Sequence, residues 1–285
     1  MALRERSGSK EMINAEDWQF KFLLREIKKS SKIDVEMYKE NFLRRRIGIK
    51  MRDSGIESYY EYAKLIRDDE AELNSLLNTL TINVTEFMRD KTPFECFKDL
   101  LLPRIIEKKE KSGSKLIRIW SAGCAYGEEP YSIAICALEF LRDRDEKYTF
   151  SIYGTDIDKN CLKNAEIGIY PKKALKNLSK WQIINYFNEI DGSYRIKDEV
   201  KRVVKFRYHD LTNEETFSKF FDVIFCRNVV IYFSEEQKRR ALRNFYDSLL
   251  NGGFLITGRS ESMLPSFLGK FKAINTTEKV YQKME

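Results

Sequence analysis

The chain has 285 residues, of which 42% are hydrophobic and 33% are charged, and its formal net charge is +7. This length predicts about two domains, and the composition is typical of a globular protein rather than a disordered one. The sequence lacks the run of roughly 20 apolar residues that a membrane span needs. It begins without the apolar stretch of a secretory signal, and its mild charge does not favour a nucleic-acid binder.

Cysteine and histidine usage argues against several kinds of chemistry. The five cysteines form no C-x-x-C pair and are odd in number, which disfavours a disulfide framework or zinc cluster and predicts a reducing, cytoplasmic location. His209 is the only histidine, which disfavours a histidine metal site and a Ser-His-Asp triad. We therefore expect no bound metal, and we expect His209 to be a strand-end residue.

Helical periodicity dominates the first part of the chain. Residues 1–11 are predicted to be a disordered tail, and residues 12–82 a small all-helical N-terminal domain. An apolar stripe at i, i+3, i+4 and i+7 predicts the first helix: Phe20, Leu23, Leu24 and Ile27. A second helix is predicted over 35–53, with two more before residue 80.

Strands alternate with helices after a predicted linker at residues 83–94, which indicates an α/β domain with a parallel sheet over residues 95–285. The predicted strands lie at 117–120, 150–153, 203–206, 221–225 and 254–256, with one or two more in 271–284. Helices are predicted over 130–141 and 235–250, the second capped by residues 251–253. The alternation breaks at about 168–206, which predicts a small β insert containing a helix over 178–187 and short strands from Ser193 and from Val200.

The turn after the first strand carries an unusual charge pattern. Gly123 and Gly127 would let the backbone approach a ligand closely. Glu128 and Glu129 stand where a helix N-terminus would bind a phosphate, and no G-K-[ST] follows. This disfavours phosphate ligands and favours a cationic one such as S-adenosylmethionine, which has an ammonium and a sulfonium. Simple complementation of the helix dipole is the alternative, and it stays open for Glu128.

Polar residues also follow the second and fourth strands. Asp156 ends the second strand, where an acid typically binds ribose hydroxyls, and Asp158 is a candidate N-cap for the next helix. Asn228 follows the fourth strand and is predicted to contact the ligand, with capping of the strand end as the alternative.

Five separated motifs resemble the CheR family of chemotaxis receptor methyltransferases. They are T-I-N-V-T-E-F-M-R-D at 81–90, the segment I-W-S-A-G-C to G-E-E-P-Y-S at 119–132, T-D-I-D at 155–158, F-C-R-N-V with I-Y-F within 225–233, and Gly258 with S-E-S at 260–262. The likeness runs from about residue 15 to the end. Three departures are Met88 in place of a second Phe, Ala125-Tyr126 in place of Ser-Thr, and Asp210 where the family usually has Asn.

The resemblance implies a Rossmann-like class I S-adenosylmethionine methyltransferase that acts in sensory adaptation. It would methylate glutamate side chains of chemotaxis receptors and release S-adenosylhomocysteine. The cofactor-binding residues that it implies are Asn83, Thr85, Arg89, Gly123, Glu129, Asp156, Asp210, Leu211, Asn228 and Val229. Arg89 and Tyr232 are implied near the reacting centre and are the catalytic candidates, although whether Arg89 orients the substrate or holds the cofactor stays open. A glutamate with an ordinary pKa of about 4.3 is ionised at neutral pH, so the reaction needs no general base.

The second helix carries a basic cluster, formed by Arg44, Arg45, Arg46, Lys50 and Arg52. The resemblance implies an acidic receptor helix as the substrate, which a basic helix would attract. An ordinary solvated basic face is the alternative.

The remaining expectations concern partners. In some members of the family the insert holds a receptor's tail peptide, but the short turn at 191–193 predicts that this enzyme does not depend on one. We expect a monomer that does not bind nucleic acid and does not insert into a membrane. A nucleic-acid methyltransferase of the same fold, disfavoured because R-N-V-V-I-Y-F replaces an N-P-P-Y-like motif, and a non-catalytic S-adenosylmethionine-binding module are the alternatives.

Overall fold

The computed structural model describes residues 5–31, 35, 38–80, 85–142, 144, 148–213 and 215–284. Contacts between Cα atoms divide the chain into a helical unit, Met1–Ile82 with Tyr232–Ser234, and a sheet unit, Asn83–Ile231 with Glu235–Glu285. The predicted limits of tail, helical domain, linker and methyltransferase domain stay predictions. Among the described residues, no helix combines the length and the apolar character that crossing a membrane requires.

The helical unit contains α1 (Glu5–Ser31), α2 (Glu40–Asp53), α3 (Tyr59–Asp68) and α4 (Glu70–Leu80). The apolar stripe of α1 is buried, as its spacing predicts. The backbone of residues 5–11, predicted as a tail, is part of α1. The predicted start of the second helix at Val35 is wrong: Lys39 has the non-helical ψ of 126°, and Tyr38 forms an isolated β-bridge with Phe233 of the same unit.

The sheet unit is built on a seven-stranded sheet in the order β6-β2-β1-β7-β8-β10-β9. Its strands are β1 (Leu116–Ala122), β2 (Thr149–Asp156), β6 (Val204–Tyr208), β7 (Phe221–Cys226), β8 (Leu249–Thr257), β9 (Phe271–Asn275) and β10 (Val280–Lys283). The first four pairings in this order, from β6 to β8, are parallel, and β10 and β9 are antiparallel additions from the end of the chain. The α/β class is confirmed, but the sheet is mixed rather than wholly parallel. Every residue of β7 is buried, as expected for a central strand covered on both faces.

The sheet unit also contains helices, some before β1 and the others between parallel strands. They are α5 (Thr92–Cys96), a π-helical turn at Phe97–Leu101, α6 (Leu102–Ser112), α7 (Glu128–Arg142), α8 (Lys159–Ile167) and α11 (Glu235–Ser248). The helices over 92–112 were not predicted. The predicted cap at 251–253 is wrong, because α11 ends at Ser248 and these residues lie within β8. Leu249 pairs with Phe221, and Phe254 pairs with Val223, so β8 has more residues between the two pairs than β7 has. The register therefore shifts at an irregularity that includes Gly252, whose φ is +71°.

The insert is a separate three-stranded antiparallel sheet in the order β3-β5-β4. It contains β3 (Ile169–Pro171), α9 (Lys180–Tyr186), β4 (Phe187–Ile190), β5 (Ser193–Ile196) and α10 (Asp198–Lys201). Asp191 and Gly192 have φ of 49° and 75° and join β4 to β5 as a two-residue hairpin turn. The predicted strand at Ser193 is confirmed, whereas the one from Val200 is wrong, since Val200 lies in α10. Phe187 starts β4 rather than ending the preceding helix.

Candidate active site

The loop between β1 and α7 bends sharply over the ends of the strands. Gly123, Ala125 and Gly127 all have positive φ, at 78°, 46° and 91°. The N–H groups of Gly123 and Cys124 both donate to the carbonyl oxygen of Thr155, at 2.8 and 2.9 Å, which ties this loop to the end of β2. A Cβ atom on Gly127 would lie 2.8 Å from Cβ of Ala165, so only glycine fits there.

Asp156 lies at the end of β2 and braces two loops. Its Oδ2 accepts a hydrogen bond from the N–H of Ala125 at 2.8 Å, and its Oδ1 accepts one from the N–H of Asp158 at 2.9 Å. Burial raises the pKa of this carboxyl, and the backbone donors oppose that rise. A carboxylate offers about four lone-pair sites, so acceptor capacity remains for a ribose hydroxyl. Asp158 caps α8 as predicted, accepting from the N–H groups of Asn160 and Cys161.

Glu129, at the start of α7, is paired with a residue that the sequence analysis assigned no role. Its Oε1 accepts from Ser121 Oγ at 2.8 Å, and its Oε2 lies 3.4 Å from Nη1 of Arg227. Arg227 follows β7, and its side chain is only 2% exposed. Burial raises the pKa of Glu129, and Arg227 opposes the rise. A motif match alone could not reveal this role, because the partners of Arg227 are distant in sequence.

Arg227 also holds the turn that carries Arg89. Its Nη2 donates to the carbonyl oxygen of Arg89 and to Oδ2 of Asp90, both at 2.9 Å. Met88 and Asp90 have φ of 49° and 54°. Non-glycine residues in this region cost of order 1–3 kcal/mol each and persist where the surroundings hold them. The N–H of Met88 donates to Ser132 Oγ on α7 at 2.9 Å, which anchors the other side of the turn.

Glu128 is a buried carboxyl group beside Thr85. It is 4% exposed, and its Oε2 is buried without a hydrogen-bond partner. Burial raises the pKa of Glu128 to about 7, while its own backbone N–H and the Thr85 side chain oppose the rise by hydrogen bonding. A buried acid is unfavourable for a phosphate and suits a cationic ligand nearby. Asn83, predicted with Thr85, lies outside the described residues.

The loops after β7 and β8 meet at Glu261, a second residue to which the sequence analysis gave no role. Asn228 has a φ of 60°, and the N–H groups of Asn228, Val229, Ile231 and Gly258 all donate to the Glu261 carboxylate. The one sign of this role in the sequence is the position of Glu261, an acid within the segment S-E-S that follows a strand.

Asp210 and Leu211 follow β6, and both are buried. Oδ1 of Asp210 accepts from the N–H and the hydroxyl of Thr212, at 2.8 and 2.7 Å. The carbonyl oxygen of an asparagine could accept the same bonds, so the departure from the family's usual Asn preserves the turn. His209 stands at the strand end as predicted, with its ring centroid 5.7 Å from that of Trp120, and burial lowers its pKa.

Tyr232, the second catalytic candidate, belongs to the helical unit, whereas Arg89 belongs to the sheet unit. Its ring centroid lies 5.0 Å from that of Phe42, and its carbonyl oxygen accepts from the N–H of Lys39.

The basic cluster on α2 divides into structural and exposed members. Arg44 pairs with Asp17 at 2.6 Å and with Glu40 at 2.7 Å, and Lys50 lies 3.6 Å from Glu72. Arg46 is half-buried. Arg45 and Arg52 are exposed, so they are the members best placed to meet a partner.

Comparison with known proteins gives concordant matches over most of the chain. Residues 83–280 match the family described as CheR methyltransferase, SAM binding domain, and residues 18–81 match the one described as CheR methyltransferase, all-alpha domain.

Among curated proteins, the chain resembles a chemotaxis protein methyltransferase of Listeria innocua, with 35% identity over 85% of this chain and 89% of the relative. A chemotaxis protein methyltransferase of Borreliella burgdorferi is 33% identical over 81% of this chain and 83% of its own. Chemotaxis protein methyltransferase 2 of Vibrio cholerae is 38% identical over 72% of this chain and 70% of its own.

Proposed function

Since the chain belongs to the CheR methyltransferase family, we propose that it methylates glutamate side chains of chemotaxis receptors and thereby serves sensory adaptation. It is an S-adenosylmethionine-dependent methyltransferase. The observation that carries the proposal is a pair of acids at neighbouring strand ends, namely Glu129 after β1, whose side chain is 13% exposed, and the buried Asp156 at the end of β2. This set suits a cationic nucleoside and disfavours a phosphate.

When bound, S-adenosylmethionine would supply a methyl group on a sulfonium, and the receptor carboxylate would supply the attacking oxygen. Transfer would form an O–CH₃ bond as the S–CH₃ bond breaks and would leave a neutral ester and a neutral thioether. In this proposal Glu129 binds the cofactor's ammonium group and Asp156 binds its ribose. Arg89 sits on a turn held by Arg227 and is proposed to orient the carboxylate or close the site. Positioning of this kind lowers barriers by up to roughly 7–11 kcal/mol in favourable cases.

The proposed function is tested by supplying tritiated S-adenosylmethionine and receptor-bearing membranes to the purified protein. We expect a base-labile methyl ester on the receptor.

Asp156→Ala should weaken cofactor binding by about 1–3 kcal/mol, because a charge-assisted contact to the ribose is lost. Calorimetry on the folded variant measures this.

The matched control is Asp158→Ala, which removes a neighbouring carboxylate that caps α8. It should cost about 1 kcal/mol of stability and leave cofactor affinity unchanged. A receptor that gains no ester would refute the function, and wild-type affinity in Asp156→Ala would remove Asp156 from the site.

We also propose that the exposed arginines of α2 attract the acidic receptor segment. Reversing Arg45 and Arg52 to Glu together should slow receptor methylation at low ionic strength by about 10-fold and flatten its salt dependence, because long-range attraction is lost. Cofactor affinity should not change. Initial rates across a salt series measure the effect.

Arg44 is unsuitable for this test because its ion pairs lie within the helical unit. Reversing Lys21 and Arg25 to Glu together, at two exposed positions on α1, is the control for the same change in net charge. Equal rates for the double reversal and the wild type at low salt would mean that the α2 cluster is only a solvated face.

We propose that the protein acts in the cytoplasm as a monomer. Its five cysteines are all free, as suits a reducing compartment. The two-residue turn between β4 and β5 supports the prediction that no receptor tail peptide is required.

A further inference from the structure

We propose that Glu261 is a positioning residue that holds the loops after β7 and β8 in the conformation that binds S-adenosylmethionine. This rests on the proposed function, because it takes Asn228 and Val229 as cofactor contacts. Glu261 itself is 3% exposed. It lies in a tight turn, in which its N–H donates to the carbonyl oxygen of Gly258 at 2.9 Å.

Both carboxylate oxygens of Glu261 are shared between backbone donors. Oε2 accepts from Gly258 at 2.6 Å and from Asn228 at 3.1 Å, which bridges the two loops. Oε1 accepts from Val229 at 2.9 Å and from Ile231 at 3.3 Å. Hydrogen bonds to an ionised acceptor are stronger than neutral ones, so one side chain fixes the course of the backbone from 228 to 231.

This anchoring extends to the β1 loop through Val229. A Cβ atom on Gly123 would lie 2.5 Å from Cγ2 of Val229, so the Gly123 turn packs directly on that side chain. Asn228 is held at a φ of 60°, a conformation that needs support from its surroundings. A loss of the Glu261 carboxylate would therefore disturb two predicted cofactor contacts and the packing of a third loop.

Among the described residues no cationic side chain pairs with the Glu261 carboxylate, which separates this role from that of an ion pair. The described contacts of its carboxylate are all backbone N–H groups. A glutamine in its place would present an NH₂ group to two N–H donors, which cannot hydrogen-bond to it. Glu261→Gln is thus a change of the same size that breaks half of the arrangement.

The test compares Glu261→Gln with the wild type in cofactor binding and in steady-state kinetics. We expect the Kd for S-adenosylmethionine to rise by about 10-fold or more, because two buried backbone N–H groups lose their acceptor in the variant. The KM for the receptor should change less than the Kd for S-adenosylmethionine, because the Glu261 carboxylate holds the backbone at 228–231 and contacts neither of the catalytic candidates Arg89 and Tyr232 in its described hydrogen bonds.

Gly258→Ala provides a second variant, since its Cβ would lie 2.8 Å from Oε2 of Glu261 and 2.9 Å from the Asn228 nitrogen. It should raise the same Kd while leaving the carboxylate in place.

Asp222→Asn is the matched control. Asp222 is a 5% exposed carboxylate near the other end of β7, where it pairs with Lys109 at 2.8 Å and accepts from the N–H of Arg118 at 2.9 Å. Its replacement should lower stability without changing the Kd. Folded Glu261→Gln with wild-type cofactor affinity, or an equal loss in Asp222→Asn, would overturn the proposal. A wild-type protein that binds no S-adenosylmethionine would instead refute the proposed function.

Discussion

Replacing Arg227 with methionine is expected to lower kcat/KM for S-adenosylmethionine by about 100-fold or more. Breaking a buried ion pair by removing one partner typically costs 3–5 kcal/mol of folding free energy. Because Glu129 and the Arg89 turn are both proposed parts of the cofactor site, we expect at least the lower figure to appear as lost cofactor interaction, and each 1.4 kcal/mol corresponds to a factor of ten. Arg227 is buried and contacts both Glu129 and the turn at Arg89 and Asp90. The variant would leave a buried carboxylate without its cation and the Arg89 carbonyl oxygen without this donor.

The pH dependence of binding distinguishes this effect from simple loss of stability. Burial already raises the pKa of Glu129, and the positive charge of Arg227 opposes the rise. Without Arg227 the pKa of Glu129 should rise further, so more of the carboxyl is protonated at neutral pH. Cofactor affinity of Arg227→Met should then recover in part as pH increases, whereas the wild type should show a weaker trend. Calorimetry between pH 6 and pH 9 measures the difference.

Arg118→Met is the control for losing a partly buried arginine from the same unit. Arg118 donates to Ser218 Oγ at 3.0 Å and its guanidinium lies 5.0 Å from the ring centroid of Phe221. It should reduce stability and leave the affinity for S-adenosylmethionine near that of the wild type. If folded Arg227→Met binds the cofactor as tightly as Arg118→Met, the pairing with Glu129 has no role in binding.

The parts of the fold that the sequence predicted correctly are those governed by local pattern. The continuous apolar run of β7 and the apolar stripe of α1 report burial directly. The family resemblance and the cofactor are likewise confirmed by the matches over residues 18–81 and 83–280. The rule that ligands bind at the carboxyl ends of parallel strands also points to Asp156 and to the loop that carries Glu129, and the roles of these two residues stay predictions.

The roles that were missed depend on partners distant in sequence. Arg227 and Arg89 are separated by 138 positions, and Glu261 and Asn228 by 33. No local spacing encodes such pairs, so the sequence could show the residues without showing what they hold. The same limit explains the error at residues 251–253, where glycines typical of a helix cap instead accommodate a β-irregularity whose register is set by β7.

Glu128 should make the stability of the protein depend on pH in the direction opposite to that of a salt-bridged acid. Its pKa is raised from 4.5 to about 7, mainly by burial. Between these two values the folded state binds more protons than the unfolded state, so the free energy of unfolding falls as pH rises through this window. The loss is complete above about pH 7 and amounts to roughly 3 kcal/mol, since each pKa unit corresponds to about 1.4 kcal/mol.

Glu128→Gln removes this titration. A constant offset is expected as well, because the amide also places a polar group where Oε2 has no partner. The informative quantity is therefore the change in the difference between variant and wild type from pH 5 to pH 8, which should favour the variant by roughly 3 kcal/mol at the higher pH. Urea unfolding at the two pH values measures it, with Glu166→Gln, an exposed acid on α8, as the control that should show no such change. A difference that stays constant from pH 5 to pH 8 would mean that Glu128 is ionised throughout. In that case its buried oxygen must be stabilised by a cation or a water molecule, and the acidic loop would carry its full negative charge before the cofactor binds.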